Sequence, residues 1–185
     1  MKHLTTAELE AGLEAIRQSP KDDGILKLIV RRPQINVREV LPAGELDLTN
    51  GLIGDTWKIR GSSRTADGSS HPDMQLNIMN SRVAALVARE ENRWQLAGDQ
   101  LYIDLDLSGE NLPPGVRLAI GSAIIEVTAQ PHNGCRKFVE RFGLDAMKFV
   151  NSPVGKQFHL RGINAKVVQA GVIRADDLAK KIDFR

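Results

Sequence analysis

The chain has 185 residues, 42% hydrophobic and 26% charged, which suits one domain with a real core. A net charge of +2 argues against a general nucleic-acid binder and leaves room for a local basic patch facing an anionic ligand. A single cysteine excludes an intramolecular disulfide and any multi-cysteine zinc or iron–sulfur centre. Met1-Lys2-His3-Leu4-Thr5 lacks the apolar core of a secretory signal, and no apolar run approaches the ~20 residues of a membrane span. The expectation is a soluble, cytoplasmic protein with no membrane partner.

Thr5-Thr6-Ala7-Glu8 matches a capping box, with Leu4 and Leu9 placed as a hydrophobic staple. Leu9, Leu13 and Ile16 mark one helical face, and Ser19-Pro20 ends it, so residues 1–23 read as an N-terminal helix packed on the main body of the domain. Ile25 to Arg32 reads as a strand, with Leu26, Leu28 and Val30 alternating against Lys27 and Arg31. Asn36 to Leu41 is extended, and Gly51 and Gly54 bend the stretch from Glu45 to Trp57. Arg60 to Asp73, rich in glycine, serine and charge, reads as a long loop whose Arg60, Arg64 and His71 can meet an anion. A solvated flexible loop explains the same composition.

Met74 to Met79 is extended, with Gln75 and Asn77 at polar positions, and Ser81 opens a helix capped by Asn80 or Ser81. Leu101 to Leu107 alternates strictly, and its Asp104 and Asp106 read as a solvated strand face rather than a metal pair. Val116 to Ile120 and Ala123 to Ala129 form a hairpin about Gly121-Ser122. Two helical runs, Arg136 to Phe142 and Leu144 to Val150, are separated by Gly143. Asn164 to Gln169 and Val172 to Arg174 are strands, Asp176-Asp177 turns, and 178–185 reads as a basic, peripheral C-terminal tail. Many short strands with glycine turns predict a mostly β fold, a compact β-barrel spanning 24–177 with a few peripheral helices.

The candidate site is Gln130-Pro131-His132-Asn133-Gly134-Cys135-Arg136-Lys137-Phe138. A strand leads in, a helix leads out, and proline and glycine break the backbone between them. The thiolate is the nucleophile and the metal ligand, and a helix start with Arg136, Lys137 and a protonated His132 favours it. A buried structural cysteine is the bland alternative, and the Pro-x-x-Gly-Cys-Arg-Lys context argues against it.

The order of motifs then resembles a known family. Gly51-Leu52-Ile53-Gly54-Asp55-Thr56-Trp57 comes first, then Ser108-Gly109-Glu110-Asn111-Leu112, then Ile120 to Thr128. Gly134-Cys135 and Leu160-Arg161-Gly162 running on to Val168 complete the series. This is similar to the MOSC domain, found at the C-terminus of molybdenum cofactor sulfurases and alone in bacteria. The closing turn departs from the family's Gly-Asp, reading Ala175-Asp176. The resemblance implies a MOSC barrel of the pyruvate-kinase-barrel-like kind, with Cys135 in a ligand cleft. It implies binding of molybdenum cofactor, a pterin dithiolene with a phosphate. Cys135 would carry sulfur as a persulfide or ligate molybdenum directly, and the reaction would be sulfur transfer or reduction of N-hydroxylated compounds. Arg60, Arg64, His132 and Arg161 are the expected cofactor-binding residues, with Arg31 and Arg32 as further cations for the phosphate. A cysteine desulfurase or a redox protein would be the partner, with pyridoxal phosphate on the desulfurase rather than on this chain. The other readings are a non-catalytic ligand-binding barrel and a thiol redox sensor.

Overall fold

The computed structural model describes residues 3–182. Its first half lays down α1 (Thr6–Ala11), α2 (Leu13–Arg17), β1 (Gly24–Arg31), β2 (Glu39–Leu41), β3 (Ala43–Asp47), β4 (Gly51–Leu52), α3 (Trp57–Arg60), β5 (Leu76–Asn80) and α4 (Ser81–Ala88). Its second half lays down β6 (Leu101–Asp104), β7 (Arg117–Ile120), β8 (Ala123–Val127), α5 (Arg136–Asn151), α6 (Pro153–Gln157), β9 (Ile163–Gln169), β10 (Gly171–Arg174) and β11 (Leu178–Ile182). Seven strands close into a ring in the order β1, β11, β7, β8, β9, β5, β6 and back to β1. Closure leaves the ring without a free edge. All its neighbours are antiparallel except β5 and β6, and α4 lies in the crossover that this parallel pair requires. β2 extends β1, while β10, β3 and β4 form a separate small sheet.

The barrel is filled by aliphatic side chains, among them Leu26, Ile29, Leu76, Ile78, Leu101, Ile103 and Ile125. Leu46, Leu52 and Ile173 of the small sheet join the same cluster. The predicted alternation of β1 is interrupted. Its register against β6 shifts between Leu26 and Leu28, a bulge that puts Leu26 and Ile29 inside and Val30 outside. Asp104 pairs with Arg82 at 2.7 Å and Asp106 accepts from the Ser108 amide at 2.9 Å, so neither forms a metal pair.

A second apolar layer lies between the barrel and the helices. Leu9 and Ile16 pack there with Val83, Phe138 and Phe142, over Val30, Met79 and Tyr102 of the strands. The capping box is present: Thr5 N donates to Glu8 Oε2 at 2.8 Å, and Glu8 N to Thr5 Oγ1 at 3.4 Å. The single helix expected here is two short ones meeting at Gly12, where a Cβ would stand 2.5 Å from Leu86 Cδ1.

The tail expected from residue 178 is corrected. Leu178–Ile182 is β11, which pairs with β7 and β1 and closes the barrel. Its lysines hid the strand, because a barrel wall solvated outside can carry charge on alternate residues: Ala179 is buried and Lys180 exposed. Asp22 Oδ1 accepts the Lys181 amide at 2.7 Å, and that bond holds the Asp22 carboxyl below the usual carboxylate range. Residues 183–185 of the expected tail lie outside the described residues.

Candidate functional site

Cys135 caps the start of α5 in extended backbone, exposed, its side chain making no capping bond. The loop ahead of it is clamped from the far end of the same helix. Gly134 N donates to Asn151 Oδ1 at 2.9 Å, and Asn151 Nδ2 donates back to Gly134 O at 3.3 Å. The two ends meet because α5 breaks at Gly143, where φ is 90° and ψ 165°, a backbone conformation that side chains forbid. The predicted split of this helix is therefore observed.

Cys135 lies on a cavity of about 260 Å³. Arg32, Arg38, Arg60, Arg141, Arg161 and Lys137 all line it. Two of these cations are neutralised inside the wall. Arg32 is buried, with Nε and Nη2 on the two oxygens of Asp55, each at 2.8 Å, and Nη1 on Asn77 Oδ1 at 3.0 Å. Arg161 is buried, with Nη1 on Asp99 at 2.8 and 3.0 Å and Nη2 on the Ala97 carbonyl at 3.0 Å. Burial pushes the Asp99 carboxyl up, against the pull of Arg161. The amide of Asn77 continues the wall, donating to Asn164 Oδ1 at 2.7 Å, and Asn164 Nδ2 donates to the Gln130 carbonyl at 3.0 Å.

The other four cations have no such compensation. Among the described residues, no carboxylate stands within salt-bridge distance of Arg38, Arg60, Arg141 or Lys137. Arg38 donates to the Val37 carbonyl at 2.7 Å and Arg141 to the Leu96 carbonyl at 2.6 Å, so these guanidiniums are held without being neutralised. Desolvation first, then Arg141 and Arg32, lowers the Arg38 pKa. Desolvation first, then Arg32, lowers that of Arg60. Like charges crowding without an anion create the positive potential that an anionic ligand relieves.

Of the residues expected from sequence, the structure brings Cys135, Arg60, Arg161 and His132 together on this cavity, with Lys137 and His71. Four expectations are corrected. His132 is not a cation for the thiolate: burial first, then Arg161 and Arg32, holds its imidazole neutral, well below the usual histidine range. Arg136 points to solvent and pairs with Glu140 at 3.1 Å. Arg64 lies off the cavity lining; its Nη1 reaches Gln130 Oε1 at 3.4 Å and the Pro131 carbonyl at 3.5 Å, tying the 60–73 loop to the cysteine loop. That loop also bonds to itself, Thr65 Oγ1 donating to the Ser69 carbonyl at 2.6 Å. Arg31 pairs with Glu39 at 2.8 Å, away from the site. Sequence reasoning missed Arg38, Arg141, Asp55 and Asp99. The only signal for the wall was the polar residues Gln75 and Asn77 inside an otherwise apolar strand.

No cluster of three or more histidine, cysteine, aspartate or glutamate side chains fit to hold a metal occurs among the described residues. No helix among them is long and apolar enough to cross a membrane.

The fold and site define a class: a closed barrel with one exposed cysteine at the rim of a cationic cavity. No protein-family model matches the chain, and no curated relative does. Solved structures do. The YuaD protein of Bacillus subtilis superposes with a TM-score of 0.60 at 14% identity, over 88% of this chain and 97% of that one. YiiM of Escherichia coli superposes at 0.56 and 20% identity, over 87% of this chain and 71% of that one. YiiM of Geobacillus stearothermophilus gives 0.52 and 14%, over 88% and 73%. YiiM is a MOSC-domain protein. At these identities the likeness is one of fold, and this chain shares the MOSC-like barrel.

Proposed function

We propose that this chain is a MOSC-type protein that holds molybdenum cofactor through the arginine-lined cavity and presents Cys135 to it. The observation that carries this reading is the meeting of an exposed cysteine with four uncompensated cations. The residues present fit such a group. Arg38, Arg60 and Arg141 offer charge-assisted donors to phosphate oxygens, and Cys135 offers the soft thiolate that molybdenum favours. The cavity of about 260 Å³ suits a phosphate and its neighbouring atoms, with the exposed Cys135 and Lys137 at the rim. When bound, the cofactor supplies two-electron redox chemistry.

The chain's own residues do the rest. Arg32–Asp55 and Arg161–Asp99 fix the wall from which the free cations project. Asn151 sets the height of the loop that ends in Cys135. His132 is neutral and adds no competing charge beside the thiol. Reduction of N-hydroxylated compounds is the activity the family resemblance implies.

A second reading uses the same sulfur as a persulfide carrier, and the exposure of Cys135 favours it, because a donor desulfurase can reach the sulfur directly. The test is metal and pterin analysis of protein purified from a host that makes the cofactor. The expected result is molybdenum and pterin in the wild type. Both should fall in the Arg60→Ala/Arg141→Ala variant, and molybdenum should fall in Cys135→Ser. Intact mass separates the second reading, which adds one sulfur to Cys135 and leaves the metal absent. Wild-type protein with neither cofactor nor added sulfur overturns both.

A further inference from the structure

A second cavity, of about 480 Å³, lies on the other side of His132 and Arg161, and these two residues line both spaces. Its size falls in the range of small-molecule sites. Leu112, Val127, Val150 and Ile163 give it apolar walls. Lys156, His159 and Arg161 line it, and no carboxylate does. Among the described residues no acidic partner is within salt-bridge distance of Lys156.

One buried donor in the partition lacks a hydrogen-bond partner, Arg161 Nε, on a side chain only 7% exposed, while His132 Nδ1 lies 3.5 Å from Asp99 Oδ1. Buried polar atoms are normally satisfied, so this orphan is a cost of the partition rather than a contact offered to the cavity. His159 is fixed as well. Its Nδ1 lies 2.7 Å from the Leu107 carbonyl, which can only accept, so Nδ1 carries the proton and Nε2 is left for a second partner. Gly162 makes the partition possible. Its φ is 110°, and a Cβ there would strike the Ile78 carbonyl and stand 3.2 Å from His132 Nδ1.

We propose that this cavity is a second small-molecule site, taking an organic acid with an apolar body. Its carboxylate would face Lys156, which has no carboxylate partner among the described residues, and its body the aliphatic walls. The proposal rests on the cavity alone and stands apart from the cofactor reading.

The experiment is a fluorine NMR titration of the full chain with para-fluorobenzoate. Saturable binding with a dissociation constant of about 1 mM or tighter is expected. Ala129 and Pro114 are exposed and line the cavity from separate segments, so Ala129→Trp and Pro114→Trp should each fill it and abolish binding while the fold survives. Lys156→Ala should weaken binding about three- to tenfold, the loss of one charge-assisted contact. Arg60→Ala/Arg141→Ala should bind as the wild type does, and excess inorganic phosphate should not compete. Absence of saturable binding overturns the proposal. So does wild-type binding in both tryptophan variants. Competition by phosphate, with loss in the arginine double variant, would put the probe in the cysteine cavity and overturn it too. A protein that purifies without cofactor yet gives the expected titration would sink the cofactor reading and leave this site standing.

Discussion

β5 and β6 each face two ways, and the two faces work by different physics. Toward the barrel axis they show Leu76, Ile78, Leu101 and Ile103, all fully buried and all aliphatic. On the opposite face of β5 stands Asn77, and just ahead of β6 come Asp99 and Gln100, which with Arg32, Asp55 and Arg161 build a buried polar wall. Each interior side chain contributes about 1.5–3 kcal/mol by leaving water. The wall gains far less net, because desolvating its charges offsets most of their attraction. Such a wall is stable only while every partner is present. The same pair of strands thus provides robust stability on one side, while the other divides between an apolar layer under the helices, at Met79 and Tyr102, and a fragile, exact positioning of charge around Asn77.

The comparison can be broken most directly at Asp55. Asp55→Ala strips Arg32 of its carboxylate and leaves the Trp57 amide without its 2.8 Å acceptor. The expected loss is about 3–5 kcal/mol in urea unfolding, the usual cost of leaving a buried charge alone. A loss below about 1 kcal/mol would mean that water enters and the wall is not dry. Leu101→Ala, on the other face, should cost about 2–4 kcal/mol by transfer and cavity terms. It should leave affinity for inorganic phosphate as it was, and a change would couple the two faces.

Arg60→Ala/Arg141→Ala sharpens the contrast from the functional side. Phosphate affinity by calorimetry should fall at least about tenfold, since charge-assisted bonds contribute about 1.5–3 kcal/mol each. The melting temperature should fall by only a few degrees, because neither arginine has a carboxylate partner to lose and only the Arg141 bond to the Leu96 carbonyl goes.

His132 gives the wall a pH dependence. Its folded pKa is depressed below 6.5, so unfolded chains bind the proton first as pH falls. Stability is fully present above that value and declines below it, by at most about 1.4 kcal/mol per pH unit, until the folded imidazole also titrates. His132 faces Asp99, Arg161, Arg32 and Arg64. Asp99, whose carboxyl is raised by burial, contributes with the opposite sign where it titrates above 3.8. His132→Asn should flatten the slope just below neutrality, and an unchanged profile would assign that slope to other groups. The smallest effect belongs to Arg136→Ala. Its exposed pair with Glu140 should leave the melting temperature unchanged and the rate of Cys135 alkylation close to wild type.

The sequence showed the elements whose cause is local. Thr5 and Glu8 specify a helix start within four residues, Gly121-Ser122 a hairpin, and Gly143 a helix break. Cys135 stood out because its loop carries its own punctuation. What stayed hidden depends on residues brought together from far apart. Arg38 and Arg141 belong to no motif, and only the closed barrel sets them on one cavity. β11 was concealed by its lysines, whose partners in β7 lie some sixty positions away. Arg136 misled because charge close in sequence is not charge close in space, and Arg64 because a loop's charge does not say which way its side chains turn; they reach Glu140 and Gln130 instead.

The bond between Asn151 and Gly134 spans 17 residues and closes on itself without touching a strand. In mechanical terms Cys135 is mounted on a buckle, with Gly143 as its fold and a side-chain amide as its pin. The buckle is also fastened to the barrel, since Phe138, Phe142 and Phe149 pack in the layer over Val30, Met79 and Tyr102, so a load applied to the sulfur falls first on the pin and then on that layer.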